Sequence, residues 1–77
     1  MAKSTYLIHV MDECSFCVKA KALLHAYGCS YETVEGPSPE WSTFPCVYRI
    51  DEFGAKHLIG GWSELAGFSV DNDIRTL

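Results

Sequence analysis

The order of apolar and polar positions divides the chain into six short elements. Residues 5–10, TYLIHV, join β-branched, aromatic and aliphatic side chains and predict a buried strand. From Phe16 the period changes. Phe16, Ala20, Leu23, Leu24 and Tyr27 recur at helical spacing, with Lys19, Lys21 and His25 mostly on the other face. Gly28 is placed to end this helix. Residues 29–35, CSYETVE, predict a second strand by alternation, Tyr31 and Thr33 against Glu32 and Val34. Residues 36–42, GPSPEWS, hold two prolines and leave little room for more than one helical turn. Residues 45–51, PCVYRID, predict a third strand that opens on a tolerated proline. A turn at 52–55, EFGA, and a short fourth strand at 56–59, KHLI, complete a hairpin. Residues 60–68, GGWSELAGF, predict a glycine pair opening a short helix with Ser63 as its cap. The tail, DNDIRTL, adds at most one last turn.

The predicted order is β-α-β followed by β-β-α, an α/β arrangement on a mixed sheet. The strand–helix–strand unit favours a parallel, right-handed pairing of the first two strands. Nothing in the chain reads as a repeat, a low-complexity tract or a linker, so residues 1–77 are expected to form a single domain. A chain of 77 residues buries a modest fraction of its surface, and its core is correspondingly marginal.

Composition removes several function classes. At 48% hydrophobic residues the chain is not of the disordered type. Its net charge of −4, six basic residues against ten acidic, argues against a nucleic-acid partner, which needs a basic surface. No apolar run reaches membrane-spanning length, and the N-terminal MAKSTYLIHVMDEC lacks a signal-peptide apolar region and cleavage site. No membrane partner is expected, and a reducing cytoplasm is the expected location. Four cysteines could form a disulfide scaffold, but that reading needs a secreted context. Their spacings are 2, 11 and 16 intervening residues, and only the first is a recognisable unit.

That unit, Cys14-Ser15-Phe16-Cys17, falls where strand gives way to helix. Beside a β-α-β pattern, a CxxC of this kind reads as a redox pair. A helix N-terminus offers unpaired N–H groups and about half a positive charge, and both favour thiolate over thiol. Helix starts in such motifs lower a cysteine pKa from about 8.5 to about 7 or below. Cys14 is the expected nucleophile. Cys17, one turn further on the same side, is placed to resolve a mixed disulfide formed on Cys14. Two other readings stand beside this one: a pair of small buried hydrophobes, or half of a zinc site. Zinc needs four ligands; Cys29, Cys46, His9, His25 and His57 are available, but there is no second CxxC and no HxxxH.

Three motifs, in order along nearly the whole chain, resemble the glutaredoxin family: CSFC at 14–17, TFP at 43–45 and GGWSE at 60–64. The first is similar to the family's CPYC-type site. The second is similar to its Thr-Val-Pro element, and the third to the Gly-Gly element that opens its last helix. The resemblance implies a thioredoxin-like fold in a minimal form, with a four-stranded mixed sheet and the second helix reduced to a short connector. It implies glutathione-linked thiol–disulfide exchange, with glutathione as reductant. Pro45 would be cis and face Cys14, leaving the Phe44 backbone free to pair with an extended peptide such as glutathione. Gly60 and Gly61 would allow a tight turn and close approach of a ligand. Ser63 and Glu64 match the positions that hold the γ-glutamyl end of glutathione, its carboxylate at the helix start and its ammonium on Glu64. Ser63 and Glu64 equally suit a plain capped helix start. Phe16 is a candidate apolar contact for substrates, though the helical period also allows it to be buried.

The chain departs from the family pattern in three places. Serine replaces the usual proline after Cys14, as in some iron–sulfur glutaredoxins, so a glutathione-ligated [2Fe–2S] dimer using Cys14 is an alternative. Met11 stands where the family usually carries a basic residue, and Asp12 and Glu13 add negative charge beside the thiol. Like charge opposes a thiolate and repels the anionic tripeptide, which leaves protein disulfides and thioredoxin reductase as alternative substrate and electron donor. The connector is too short for the family's second helix, which supplies a residue for the glycyl carboxylate; such trimmed chains resemble small phage-encoded glutaredoxins, whose location would be the host cytoplasm. Protein disulfides, those of ribonucleotide reductase among them, are the partners the resemblance implies, for a protein acting as a monomer. Cys29 and Cys46 are expected to be core thiols. Trp41 and Trp62 are expected to pack the core, with a ligand groove as their other reading.

Overall fold

In a computed structural model, the described residues are 5–72, with side chains described for 5–68. The elements run β1 (Thr5–Val10), α1 (Ser15–Ala26), β2 (Ser30–Glu35), β3 (Cys46–Ile50), β4 (Lys56–Gly60) and α2 (Trp62–Asn72). The predicted final turn of the tail beyond Asn72 lies outside the described residues. Cys29 precedes β2 rather than opening it, and Pro45 precedes β3 rather than beginning it.

One sheet holds all four strands in the order β2-β1-β3-β4. β1 runs parallel to β2, with Val10 beside Glu35 at the end nearest Cys14. β1 is antiparallel to β3, and β3 is antiparallel to β4, with an irregularity at Val47/Tyr48. β2 and β3 therefore run in opposite senses on the two sides of β1, and the ten residues between them suffice without a second helix. Those residues form only an isolated bridge between Ser38 and Trp41.

Alternation along the strands divides the side chains between two faces. Tyr6, Ile8 and Val47 point to the face that carries both helices, where they cluster with Ala20 and Leu24 of α1, Leu65 of α2 and Cys29. α1 buries Cys17, Ala20 and Leu24, one stripe at i, i+3 and i+7. Phe16, placed by its period on the apolar face, lies outside that stripe and is half exposed. Lys19 Nζ sits 5.1 Å from its ring centroid. Gly28 takes a φ of 72° just after the helix, as its predicted role requires.

The other face of the sheet is covered in part by the connector, around Tyr48, His9 and Cys46. Tyr48 donates from its hydroxyl to Glu40 Oε1 at 2.9 Å, and Ser38 Oγ bonds to the same phenol oxygen. His9 Nδ1 lies 3.1 Å from the Gly36 carbonyl oxygen and its ring meets that of Tyr48 edge-on at 5.8 Å. Cys46 is fully buried in this second layer. Burial there pushes its thiol pKa up, against smaller opposing contributions from Ser38 and Tyr48. The connector thus replaces a helix as a cover.

Candidate redox site

β1 ends at Val10, and the chain reverses through Met11, Asp12 and Glu13 before entering α1. Glu13 has a φ of 58°, in the left-handed region that glycine usually supplies. Cys14 follows as the N-cap of α1 in extended conformation, φ −100° and ψ 104°. Its Sγ accepts the Cys17 N–H at 3.1 Å, and its carbonyl accepts the Val18 N–H at 3.2 Å. A sulfur therefore fills the place that a serine or aspartate oxygen commonly takes at a helix start. Cys14 and Cys17 form a disulfide with their Cα atoms 5.2 Å apart. Cys17 is buried at 2% exposure and Cys14 is half-buried, so only the first sulfur faces solvent to any extent.

The first turn of α1 contributes to two depressions. The smaller, about 210 Å³, is lined by Phe16, Thr43, Phe44, Gly61, Trp62, Ser63 and Glu64. It gathers five of the residues anticipated for ligand binding: Phe16, Phe44, Gly61, Ser63 and Glu64. Pro45 does not line it. That residue is buried beneath the wall, and the Phe44–Pro45 peptide bond is cis. The Phe44 backbone makes no hydrogen bond to another described residue. The larger depression, about 580 Å³, lies on the β2 side and includes Cys14, Cys17, Asp12, Glu13 and Glu35. The pattern thus brought the motif residues to one groove but placed the cysteines in the wall of its neighbour.

The start of α2 explains the glycine pair. Leu65 N–H bonds to the Gly61 carbonyl at 2.9 Å, and Glu64 Oε1 accepts the Gly61 N–H at 2.9 Å. Gly61 is therefore the cap position, and Glu64 supplies the return arm of a capping box. Ser63, expected as the cap, instead lies inside the first turn of the helix with its side chain exposed. The displacement follows from glycine: the helix can begin one residue after the pair because Gly61 brings its backbone under Pro45 and Trp41. A Cβ there would stand 3.2 Å from Glu64 Oε1, 3.4 Å from the Pro45 carbonyl oxygen and 3.5 Å from Trp41 Nε1. Gly60, at φ +124°, would place a Cβ 2.7 Å from Glu64 Cγ.

Trp62 both lines the groove and packs against the core, so its two readings hold together. Trp41 backs Gly61, and its Nε1–H is buried without a partner among the described residues. The larger cleft was missed by pattern reasoning. Its one sequence signal was the acid pair before Cys14; Glu35 joins that pair only through the parallel register that sets it beside Val10.

Among the described residues no group of three or more His, Cys, Asp or Glu side chains could hold a metal ion. Cys29 lies in the core on the helix side and Cys46 under the connector on the other, and neither lines the cleft with Cys14 and Cys17. No described helix is long and apolar enough to cross a membrane.

No protein-family model and no curated protein matches this chain. Among solved structures it is similar to the solution structure of glutaredoxin from Brucella melitensis, with a TM-score of 0.68, 22% identity, 99% of this chain covered and 94% of that chain. The two share a fold: a four-stranded mixed sheet with helices, the thioredoxin-like arrangement of a glutaredoxin.

Proposed function

We propose that this chain is a small member of the glutaredoxin family, a thiol–disulfide oxidoreductase whose dithiol is Cys14 and Cys17. The single observation that carries the reading is the Cys14 sulfur at the N-cap, receiving the Cys17 N–H at 3.1 Å with the second sulfur bonded to it one turn along. The same N–H and the positive end of α1 would stabilise a Cys14 thiolate.

In the forward reaction the Cys14 thiolate attacks one sulfur of a substrate disulfide. The substrate S–S bond breaks, one thiolate leaves and takes a proton from solvent, and a mixed disulfide forms on Cys14. Cys17, having lost its own proton, attacks the Cys14 sulfur and releases the second substrate thiol. The substrate has gained two electrons and the protein holds the Cys14–Cys17 disulfide. Two thiols of glutathione, joined in their turn as a disulfide, return the pair to the dithiol.

The smaller groove is the proposed glutathione site. The free Phe44 backbone beside cis Pro45 suits an extended peptide, the α2 N-terminus at Gly61 and Ser63 suits the γ-glutamyl carboxylate, and Glu64 suits its ammonium. Phe16 and Trp62 supply apolar walls. Among the described residues no lysine or arginine lines this groove, so binding would rest on backbone and helix-end contacts, Glu64 and the two apolar walls. The protein would act as a monomeric single domain in a reducing cytoplasm, on clients such as ribonucleotide reductase by family resemblance.

The test is reduction of a glutathione mixed disulfide and of a protein disulfide, each coupled to glutathione with its reductase and separately to thioredoxin reductase. Cys14→Ser should abolish every activity. Cys17→Ser should keep glutathione mixed-disulfide reduction and lose protein-disulfide reduction. An active Cys14→Ser protein would overturn the mechanism. A coloured dimer as purified, losing its visible absorbance on Cys14→Ser, would point instead to a glutathione-ligated [2Fe–2S] cluster.

A further inference from the structure

The cleft on the β2 side of Cys14 is nearly three times the volume of the motif-lined groove, about 580 Å³ against 210 Å³, and it alone includes both cysteines. A substrate disulfide that reaches Cys14 must lay some of its chain against the surroundings of that sulfur, so whatever lines this cleft meets the substrate. Its walls are amphipathic. Met11 and Val18 stand 52% and 60% exposed and both line it. Around them are the carboxylates of Asp12, Glu13 and Glu35, against the single ammonium of Lys21. Two segments supply this sign, the reversal after β1 with Asp12 and Glu13 and the end of β2 with Glu35 held in register beside Val10, while α1 contributes Val18 and the opposing Lys21.

We propose that this cleft seats a cationic polypeptide segment flanking the substrate disulfide, so that the site selects basic protein disulfides over acidic ones. The inference rests on the oxidoreductase reading above and names the substrate class for it. Apolar contact with Met11 and Val18 gives such a segment purchase, and the carboxylates add charge complementarity that steers encounter and lowers KM. The proposed glutathione groove shares no lining residue with this cleft, so a protein client and the reducing tripeptide would rest on different residues around the first turn of α1. On this arrangement the acids before Cys14 no longer read as a defect in a glutathione enzyme. They oppose anionic substrates in this cleft and favour cationic ones there.

The test uses two peptide disulfides equal in length and apolar content, one with lysines flanking the reacting cysteine and one with glutamates, alongside a small uncharged disulfide. The wild-type protein should favour the lysine peptide in kcat/KM by about tenfold at low ionic strength, chiefly through KM, with the ratio shrinking toward one as salt rises. The double variant Asp12→Asn, Glu35→Gln should cut that ratio several-fold. An effect of these acids on thiolate formation alone would move both peptides equally and leave the ratio unchanged, and that outcome overturns the proposal. So does a wild-type ratio of one, or a ratio that ignores salt, a measurement that decides even if the double variant fails to fold. Activity on the uncharged disulfide separates the two failures. If it is present with no charge preference, only this inference falls; if no disulfide is reduced at all, the oxidoreductase reading falls with it.

Discussion

Tyr6 is the largest fully buried side chain of the core, and its hydroxyl has no hydrogen-bond partner among the described residues. A buried phenol resists ionisation because the phenolate would lose its water. Burial, with a smaller contribution from nearby Cys29, pushes the Tyr6 pKa up from 10.0 to about 12, against the opposing charge of Arg49. Between those values the unfolded chain releases a proton that the folded chain keeps. The unfolded state then binds fewer protons, so stability falls as pH rises from about 10 toward 12. Tyr6→Phe removes both the titration and the unsatisfied hydroxyl, whose desolvation costs about 1–3 kcal/mol in a buried site. Urea unfolding at neutral and alkaline pH should show Tyr6→Phe at least as stable as wild type near pH 7, with a smaller loss above pH 10. An equal alkaline loss in both proteins would place the effect elsewhere.

At the scale of elements, the start of α2 couples the fold to the proposed glutathione groove. Gly60 at φ +124° permits the turn from β4, and Glu64 packs where a Gly60 side chain would be. Gly60→Ala should therefore destabilise the protein by about 1–3 kcal/mol through backbone strain and displacement of Glu64. The displaced Glu64 would also leave the position proposed to hold the glutathione ammonium, so KM for glutathione should rise alongside the fall in the urea midpoint. A rise in KM with no loss of stability would separate the groove from the fold. This helix also shows where sequence reading succeeds and where it stops. The six elements were legible from local signals: the β-branched and aromatic run of TYLIHV, the helical spacing of Ala20, Leu23 and Leu24, the alternation of 29–35, and the turn and glycine signals that bound the hairpin and open α2. Cys14 at a strand-to-helix junction was legible for the same reason. Ser63 misled because serine is a strong cap by type, whereas the cap is set by how closely Gly61 can approach Pro45 and Trp41, which only tertiary packing decides. The connector was read rightly as no helix, yet its service as cover for Tyr48 and Cys46 depends on long-range bonds from Ser38 and Glu40 that carry no local signal. The cleft beside Cys14 was half legible, since Asp12 and Glu13 adjoin the motif while Glu35 arrives through strand register.

For the whole molecule, small size ties stability to thiol chemistry. A 77-residue domain has roughly 4–12 kcal/mol of folding free energy at about 0.05–0.15 kcal/mol per residue. Its helix-side core is a short roster around Leu24, Ile8, Val47 and Leu65, all fully buried. The four cysteines sort by the same architecture: Cys14 half-buried, Cys17 at 2%, Cys29 at 9% and Cys46 at 0% exposure. In the reduced native protein, brief treatment with iodoacetamide should therefore modify Cys14 first, both for access and because the helix start favours its thiolate. Cys29 and Cys46 should react only as the protein opens. Leu24→Ala removes about 2–5 kcal/mol, a large share of the total. It should raise the labelling rate of Cys29 and Cys46 together by orders of magnitude, while Cys14 changes little. If Cys29 accelerates without Cys46, the two faces of the sheet open separately, and the connector is a cover that stands independently of the helical core. Joint acceleration means that one cooperative unit protects both buried thiols, and that the half-buried Cys14 reacts from a site held in place by that same small core.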